Sequence, residues 1–258
     1  MQDSPEYLAR KKFFNRLLTI YGRKPCLEAL QDKHVQVYRL HLSESNKPAP
    51  ILDEIIALAK ARGAEVLYHD KRQLSHISKN GKQDQGIAMD LVLAGFTEHE
   101  DYLADFTPGE HTFIALDSVT NPQNLGMIIR SVCASPATAL ILPRKGCAKL
   151  DALVIKASAG TLFKAPVIRC DTLMSCLQAF KTKGACVVGL ALDAKTSLEN
   201  ESSAGTRIYV LGNETDGISP DVSRLCDEQL KIPMRNGVES LNVAVTASLI
   251  AFRSLLRQ

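Results

Sequence analysis

Apolar residues fall into two different rhythms along this chain. In the first hundred residues, helix-like and strand-like patterns alternate. Val35-Gln-Val-Tyr-Arg-Leu40 alternates apolar and polar positions in the manner of a half-buried strand, and Glu65-Val-Leu-Tyr68 predicts a second, shorter one. Pro25 to Leu30 reads as the opening of a helix, since proline is tolerated in a first turn. Ile51 to Arg62 carries apolar residues at helical spacing and runs into Gly63, which predicts a helix closed by a glycine cap. These elements predict a small α/β layer fold of about 90–100 residues.

Beyond Glu110 the strand candidates become continuous apolar runs. They are Phe113-Ile-Ala-Leu-Asp117, Ala139-Leu-Ile-Leu142, Val187-Val-Gly-Leu-Ala-Leu192 and Arg207-Ile-Tyr-Val-Leu-Gly212, with a helical stretch at Met127 to Cys133 and another from Leu241 to Leu256. Apolar strands between helices predict a parallel sheet covered on both faces. Between the two halves, residues 84–110 hold seven acids and no Lys or Arg, ending in the turn signal Thr107-Pro-Gly-Glu110. The expected organisation is a basic extension over 1–19, a small α/β domain over 20–96, an acidic linker over 97–110 and a parallel-sheet domain over 111–258.

Composition narrows the classes. The chain has 258 residues, 45% of them hydrophobic and 23% charged, as in soluble globular proteins. No window approaches the length of a membrane span, and Met1 to Lys12 lacks the apolar core of a secretory signal. The seven cysteines form no C-x-x-C pair, so reduced thiols in a cytoplasmic protein are expected. All six histidines lie at or before His111 and six cysteines after it, which argues against zinc. The net charge of +3 says little, but Arg10, Lys11, Lys12, Arg16, Arg23 and Lys24 cluster early, and Lys60, Arg62, Lys71, Arg72, Lys79 and Lys82 cluster again. Such clusters suit phosphates, and equally suit a solvated surface.

Three segments set Gly, Asn or Ser beside a charged or amide side chain, each where a strand-like run stops. In an open parallel sheet that is the ligand-binding edge. Asn121-Pro-Gln-Asn-Leu-Gly-Met-Ile-Ile-Arg130 reads as a helix opened by Gly126, with Arg130 one turn along, where helix terminus and guanidinium both favour a phosphate. The bland reading makes Asn124 the helix cap and Arg130 a surface side chain. Leu211-Gly-Asn-Glu-Thr-Asp-Gly217 pairs Gly212, which allows close backbone approach, with Asn213 and Glu214; it is otherwise a turn with an exposed acid. In Ile232-Pro-Met-Arg-Asn-Gly-Val-Glu-Ser-Leu-Asn242, Ser240 alone reads as a helix N-cap. No G-x-G-x-x-G or Walker loop occurs, and no histidine follows His111 to serve a serine nucleophile.

In order and spacing these segments resemble motifs 1, 2 and 3 of the SpoU (TrmH) branch of the SPOUT RNA methyltransferases, and Val154-Ile-Lys-Ala-Ser-Ala-Gly160 resembles a further stretch of that family. Residues 20–96 are similar to the branch's substrate-binding domain, of ribosomal-protein-like α/β fold, opening at Tyr21-Gly-Arg-Lys-Pro-Cys-Leu-Glu-Ala-Leu30. Asp84-Gln-Gly-Ile87 departs from it, with Asp84 where relatives often carry His.

The resemblance implies a homodimer with a C-terminal trefoil knot that transfers methyl from S-adenosylmethionine to a ribose 2′-hydroxyl of RNA. The N-terminal extension favours rRNA over tRNA. A non-enzymatic RNA-binding protein keeping the fold is the alternative of another class, and the complete motif set argues against it. Carried over by motif, Asn124, Arg130, Glu214, Ser240 and Asn242 form the catalytic set. Gly212, Ile232 and Leu241 contact the cofactor, with Leu190 and Met234 beside them. A guanidinium does not readily deprotonate, so Arg130 is expected to bind the adjacent phosphate and stabilise the developing alkoxide. Asn124, Ser240 and Asn242 are expected to position the ribose, and Glu214 to orient Arg130 or the motif backbone.

Overall fold

A computed structural model describes residues 4–201 and 204–256, divided into two compact units at Ala94/Gly95. Met1 to Asp3 of the expected basic extension lie outside the described residues, as do Arg257 and Gln258.

The first unit runs α1 (Pro5–Asn15), β1 (Leu17–Tyr21), α2 (Arg23–Gln31), β2 (Gln36–Ser43), α3 (Pro50–Ala61), β3 (Glu65–His69), α4 (Lys71–Ser78) and β4 (Ile87–Val92). Its mixed sheet has the order β1-β4-β2-β3, with β4 antiparallel to both neighbours and β3 parallel to β2. The periodic stretch at Ile51 becomes α3, which buries Leu52, Ile55 and Ala59 and ends before Gly63 at φ +72°. Burying side chains like Leu52 and Ile55 contributes about 1.5–3 kcal/mol each. The basic extension holds a helix of its own, α1, and Phe13 meets the Tyr38 ring edge-on at 4.8 Å. The extension ends by Arg16, since β1 already spans 17–19.

The second unit runs β5 (Phe96–Glu98), α5 (His99–Ala104), β6 (His111–Leu116), α6 (Pro122–Ala134), β7 (Ala139–Pro143), α7 (Ala152–Ala157), β8 (Val167–Cys170), α8 (Leu173–Thr182), β9 (Cys186–Leu190), β10 (Thr196–Ser197), β11 (Thr206–Leu211), α9 (Pro220–Leu225), β12 (Glu228–Lys231), α10 (Val243–Ala251) and α11 (Arg253–Leu256). The eight strands form a parallel sheet in the order β10-β12-β9-β11-β6-β7-β8-β5. Every residue of β11 is buried, as the continuous apolar run requires. On one side Phe113 packs on Phe180 of α8, ring centroids 5.1 Å apart. The predicted closing helix is broken at Phe252, and Arg253 is held by the buried carboxylate of Glu201, which also accepts the Tyr209 hydroxyl at 2.9 Å.

The stretch 97–110 is not a linker. Phe96–Glu98 is an edge strand on β8, and Glu98 accepts two bonds from the Arg144 guanidinium at 2.6 and 2.8 Å. Its acidity made it look unstructured, but the partner charge lies 46 residues away.

Candidate active site

The carboxyl ends of β6, β11 and β9 lie side by side in the middle of the parallel sheet. After β6, Asp117 donates its N–H to Leu211 O at 2.9 Å, and its carboxylate accepts the Ser219 N–H at 2.7 Å. After β11, Asn213 and Gly217 exchange two backbone hydrogen bonds of 2.9 Å, closing a turn around Glu214, Thr215 and Asp216. The Asn213 amide donates to Ser118 O at 3.0 Å, and its oxygen accepts the Thr215 N–H at 2.8 Å. Gly212 is required by this turn: a Cβ there would lie 2.0 Å from the carbonyl carbon of Gly217. The bare Cα thus serves the turn as well as facing the cavity described below. The missing Cβ makes room for backbone.

Asn121 caps α6, its oxygen accepting the N–H groups of Gln123 at 2.8 Å and Asn124 at 3.2 Å, with Pro122 at the first helical position. Asn124 is thus buried in the first turn and is not the cap. Its amide donates to Glu214, and its oxygen accepts from the Asn242 amide at 3.0 Å. Asn242 in turn caps α10 by accepting the Ala244 N–H at 2.8 Å, so the cap is Asn242 and not Ser240. One hydrogen-bonded chain, Asn242 to Asn124 to Glu214, thereby joins all three segments. Gly126 does not open α6; it lets the helix cross α7, since a Cβ there would lie 2.5 Å from Ala157 Cβ and 2.8 Å from Val154 O. That contact explains why Val154 to Gly160 accompanies the other segments.

Beside this network lies a cavity of about 280 Å³. Leu190, Gly212, Ile232, Met234 and Leu241, the five residues expected at a cofactor, all line it. Glu214 and Ser240 line it as well, both exposed, and neither Glu214's second carboxylate oxygen nor the Ser240 hydroxyl has a hydrogen-bond partner among the described residues. Sequence reasoning missed Thr246 and Glu239 in the lining and the bracing by Asp117 and Ser118. Asp117 was within reach as the polar end of an apolar run; Thr246 shows only as one polar residue in an apolar helix. Nearby, burial pushes the Cys147 thiol up to about 11, so it is no thiolate nucleophile. Among the described residues, no group of three or more His, Cys, Asp or Glu is placed to hold a metal ion.

Arg130 stands apart. It sits eight residues beyond Pro122, the start of α6, about 12 Å of helix rise along it. It is exposed, one turn beyond Met127, and makes no hydrogen bond or ion pair with any described residue. The expected placement near the helix N-terminus fails because the helix starts at Pro122, and Glu214 bonds Asn124 rather than Arg130.

Comparison with known proteins finds family matches for both units. Residues 111–252 match the SpoU rRNA Methylase family, and residues 19–93 match the RNA 2'-O ribose methyltransferase substrate binding family. An uncharacterized tRNA/rRNA methyltransferase of Mycolicibacterium vanbaalenii is 32% identical over 235 residues, covering 90% of this chain and 74% of the relative. Another from Mycobacterium leprae is 31% identical over 233 residues, covering 90% and 75%. In fold, the chain is similar to a SpoU methyltransferase from Streptomyces viridochromogenes solved in complex with AdoMet (TM-score 0.64, 21% identity, 99% of this chain and 94% of that one). It is likewise similar to an AdoMet-bound rRNA methyltransferase from Sinorhizobium meliloti (TM-score 0.63, 22% identity, 95% and 88%). With more than half its length inside the methylase model and its three polar segments drawn together by one hydrogen-bonded chain, this protein belongs to the SpoU family of RNA methyltransferases.

Proposed function

We propose that the protein uses S-adenosylmethionine to methylate a ribose 2′-hydroxyl in RNA, ribosomal RNA before transfer RNA. The observation that carries this is the convergence of Asn124, Glu214 and Asn242 beside a cavity lined by Leu190, Gly212, Ile232, Met234 and Leu241. Two structures of similar fold are described as AdoMet-bound, one of them an rRNA methyltransferase. The residues fit that cofactor. Leu190, Ile232, Met234 and Leu241 offer apolar walls to a flat heteroaromatic base, and a carboxylate at the rim suits a cationic sulfonium. When bound, the cofactor supplies an activated methyl group, so the protein's task is to orient the hydroxyl and receive its proton.

Asn124 and Asn242 have their amides engaged in the network, and so act as positioning residues that fix Glu214 and the start of α10. Glu214 and Ser240 keep hydrogen-bonding capacity at the cavity, and they are the groups that meet the substrate hydroxyl. Arg130, an exposed guanidinium, binds the adjacent phosphate.

The functional unit is a homodimer. Met127 on α6 and Val245 and Leu249 on α10 are 42%, 48% and 38% exposed, on two helices bridged by the Ser131–Ser248 hydrogen bond of 2.8 Å. A second copy covering these apolar residues brings Arg130, one turn from Met127, into the interface. The knot is supported by β12 pairing beyond β9 while α10 returns to pack on α6. The first unit, through Ala94, serves as the RNA reader and the second as the catalyst, in the cytoplasm where RNA and cofactor meet; no described helix is long and apolar enough to cross a membrane.

Mapping 2′-O-methyl sites in RNA from a deletion strain, with calorimetry of S-adenosylmethionine binding, tests the proposal. Loss of one rRNA methylation supports it. Loss of a tRNA methylation selects the tRNA reading, and absence of cofactor binding refutes both.

A further inference from the structure

A cavity of about 710 Å³ lies in the first unit. Three loops and the first turn of α4 build it at one end of the mixed sheet, the loops being the β1–α2 turn, the β2–α3 loop and the turn before β4. Arg23, Lys47 and Lys71 line it, and none of the three has a carboxylate partner among the described residues. Two of them come from the two separate basic clusters of the sequence. One acid, Asp84, shares the lining, but it is buried and both its oxygens are engaged, by the Ser78 hydroxyl and the Gly86 N–H at 2.9 Å each. Helices α2 and α3 open onto the same space with no side-chain cap, adding the positive ends of two helix dipoles. The cleft thus has the charge to attract an anion, and a size within the range of about 300–1,000 Å³ typical of small-molecule pockets.

Its floor also carries amides. The Asn46 amide donates to Gly86 O at 2.7 Å, leaving its oxygen open, and Gln85 accepts the Arg23 N–H at 3.0 Å, leaving its own N–H₂ open. Gln85 adopts φ +55° and Gly86 φ +77°, and a Cβ on Gly86 would strike the Asn46 oxygen at 1.9 Å. This backbone holds one acceptor and one donor beside three cations. A paired base has its hydrogen-bonding edge occupied; an unpaired one presents it. We infer that this cleft holds one unpaired nucleotide of the RNA substrate, its phosphate on Arg23, Lys47 and Lys71 and its base edge on Asn46 and Gln85, as an anchor separate from the nucleotide that is methylated. This rests on the RNA-methyltransferase reading and deepens it: the target RNA carries a bulge or loop within reach of the modified ribose.

The test uses the full-length chain, with Lys47→Ala/Lys71→Ala as the cleft variant. Lys33→Ala/Lys60→Ala removes two exposed charges of the same unit outside the lining and serves as control. The probes are an RNA hairpin with a single bulged nucleotide and the same hairpin fully paired, in filter binding across salt. Wild type and control should prefer the bulged hairpin about tenfold or more, while the cleft variant loses the preference and its salt slope falls by about two. Melting temperature and S-adenosylmethionine affinity should stay unchanged. A cleft variant that binds like the control, or a wild type without preference for the bulge, overturns the inference. The methyltransferase reading fails by a different result, absence of cofactor binding and methyl transfer in the wild type.

Discussion

Replacing Gly212 with alanine should weaken the second unit and its cofactor affinity together. The added Cβ would meet Gly217 C, Gly217 O and Ile218 N at 2.0, 2.1 and 2.3 Å, all backbone atoms that no rotamer change can clear. The turn must retreat until those contacts reach at least 3.4 Å. That movement strains the two Asn213–Gly217 backbone bonds and the Asn213–Ser118 bond. Losing two or three such bonds costs roughly 1–4.5 kcal/mol, at about 0.5–1.5 kcal/mol each. At about 2–4 °C per kcal/mol for a unit of this size, the melting temperature should fall by roughly 2–18 °C. Glu214 rides on the same turn and Gly212 lines the cavity, so S-adenosylmethionine should bind more weakly by about tenfold or more. Thermal melting with and without S-adenosylmethionine, alongside calorimetry, reads both effects. An alanine variant that melts and binds like the wild type would refute the close-approach argument. A variant that binds poorly but melts normally would restore the simpler idea that the side chain blocks the ligand.

Arg130→Ala should abolish methyl transfer while cofactor affinity stays within a few-fold, because Arg130 is exposed and outside the cavity lining; near-normal turnover would remove it from the reaction. Asn242→Ala removes both the α10 cap and the donor to Asn124, so chemical denaturation should show a loss of about 0.5–2 kcal/mol, and an unchanged midpoint would count against the network. The first unit should lose stability as pH falls. His69 is depressed from its ordinary 6.5 by burial and by His41, 2.9 Å away. Asp90 is held below the usual carboxylate range: burial works to raise it, but hydrogen bonds with His41 and Thr19 outweigh that, with Arg39 also attracting. Both folded values lie below the unfolded ones, so the unfolded state takes up protons that the folded state refuses. Stability is fully present above 6.5, begins to fall as His69 titrates, and falls further through the carboxylate range. Melting curves of wild type and His69→Gln from neutral pH to about 5 should show a flatter slope in the variant, and equal slopes would exclude His69 as the source.

The chain's local chemistry made the sheet legible, motif resemblance pointed to the cavity, and long-range pairing set the limits. The apolar runs at Phe113, Ala139, Val187 and Arg207 became β6, β7, β9 and β11 because buried parallel strands need no polar alternation. The five cavity residues were found through motif resemblance, and Leu190, Ile232 and Leu241 carry no local mark of a ligand site. Which polar residue caps which helix was decided by competition that spacing does not resolve. Asn121 and Asn124 both precede the apolar face of α6; Pro122 can occupy the first helical position because it needs no hydrogen-bonded N–H there, and this gives the cap to Asn121. Asn124 is thereby left inside the first turn with its amide aimed outward, where Glu214 and Asn242 can use it. A similar displacement moved the α10 cap from Ser240 to Asn242, leaving the serine hydroxyl at the cavity. In both places a polar residue is kept from capping by a better-placed neighbour, and the residue left over lies in the hydrogen-bonded network or at the cavity.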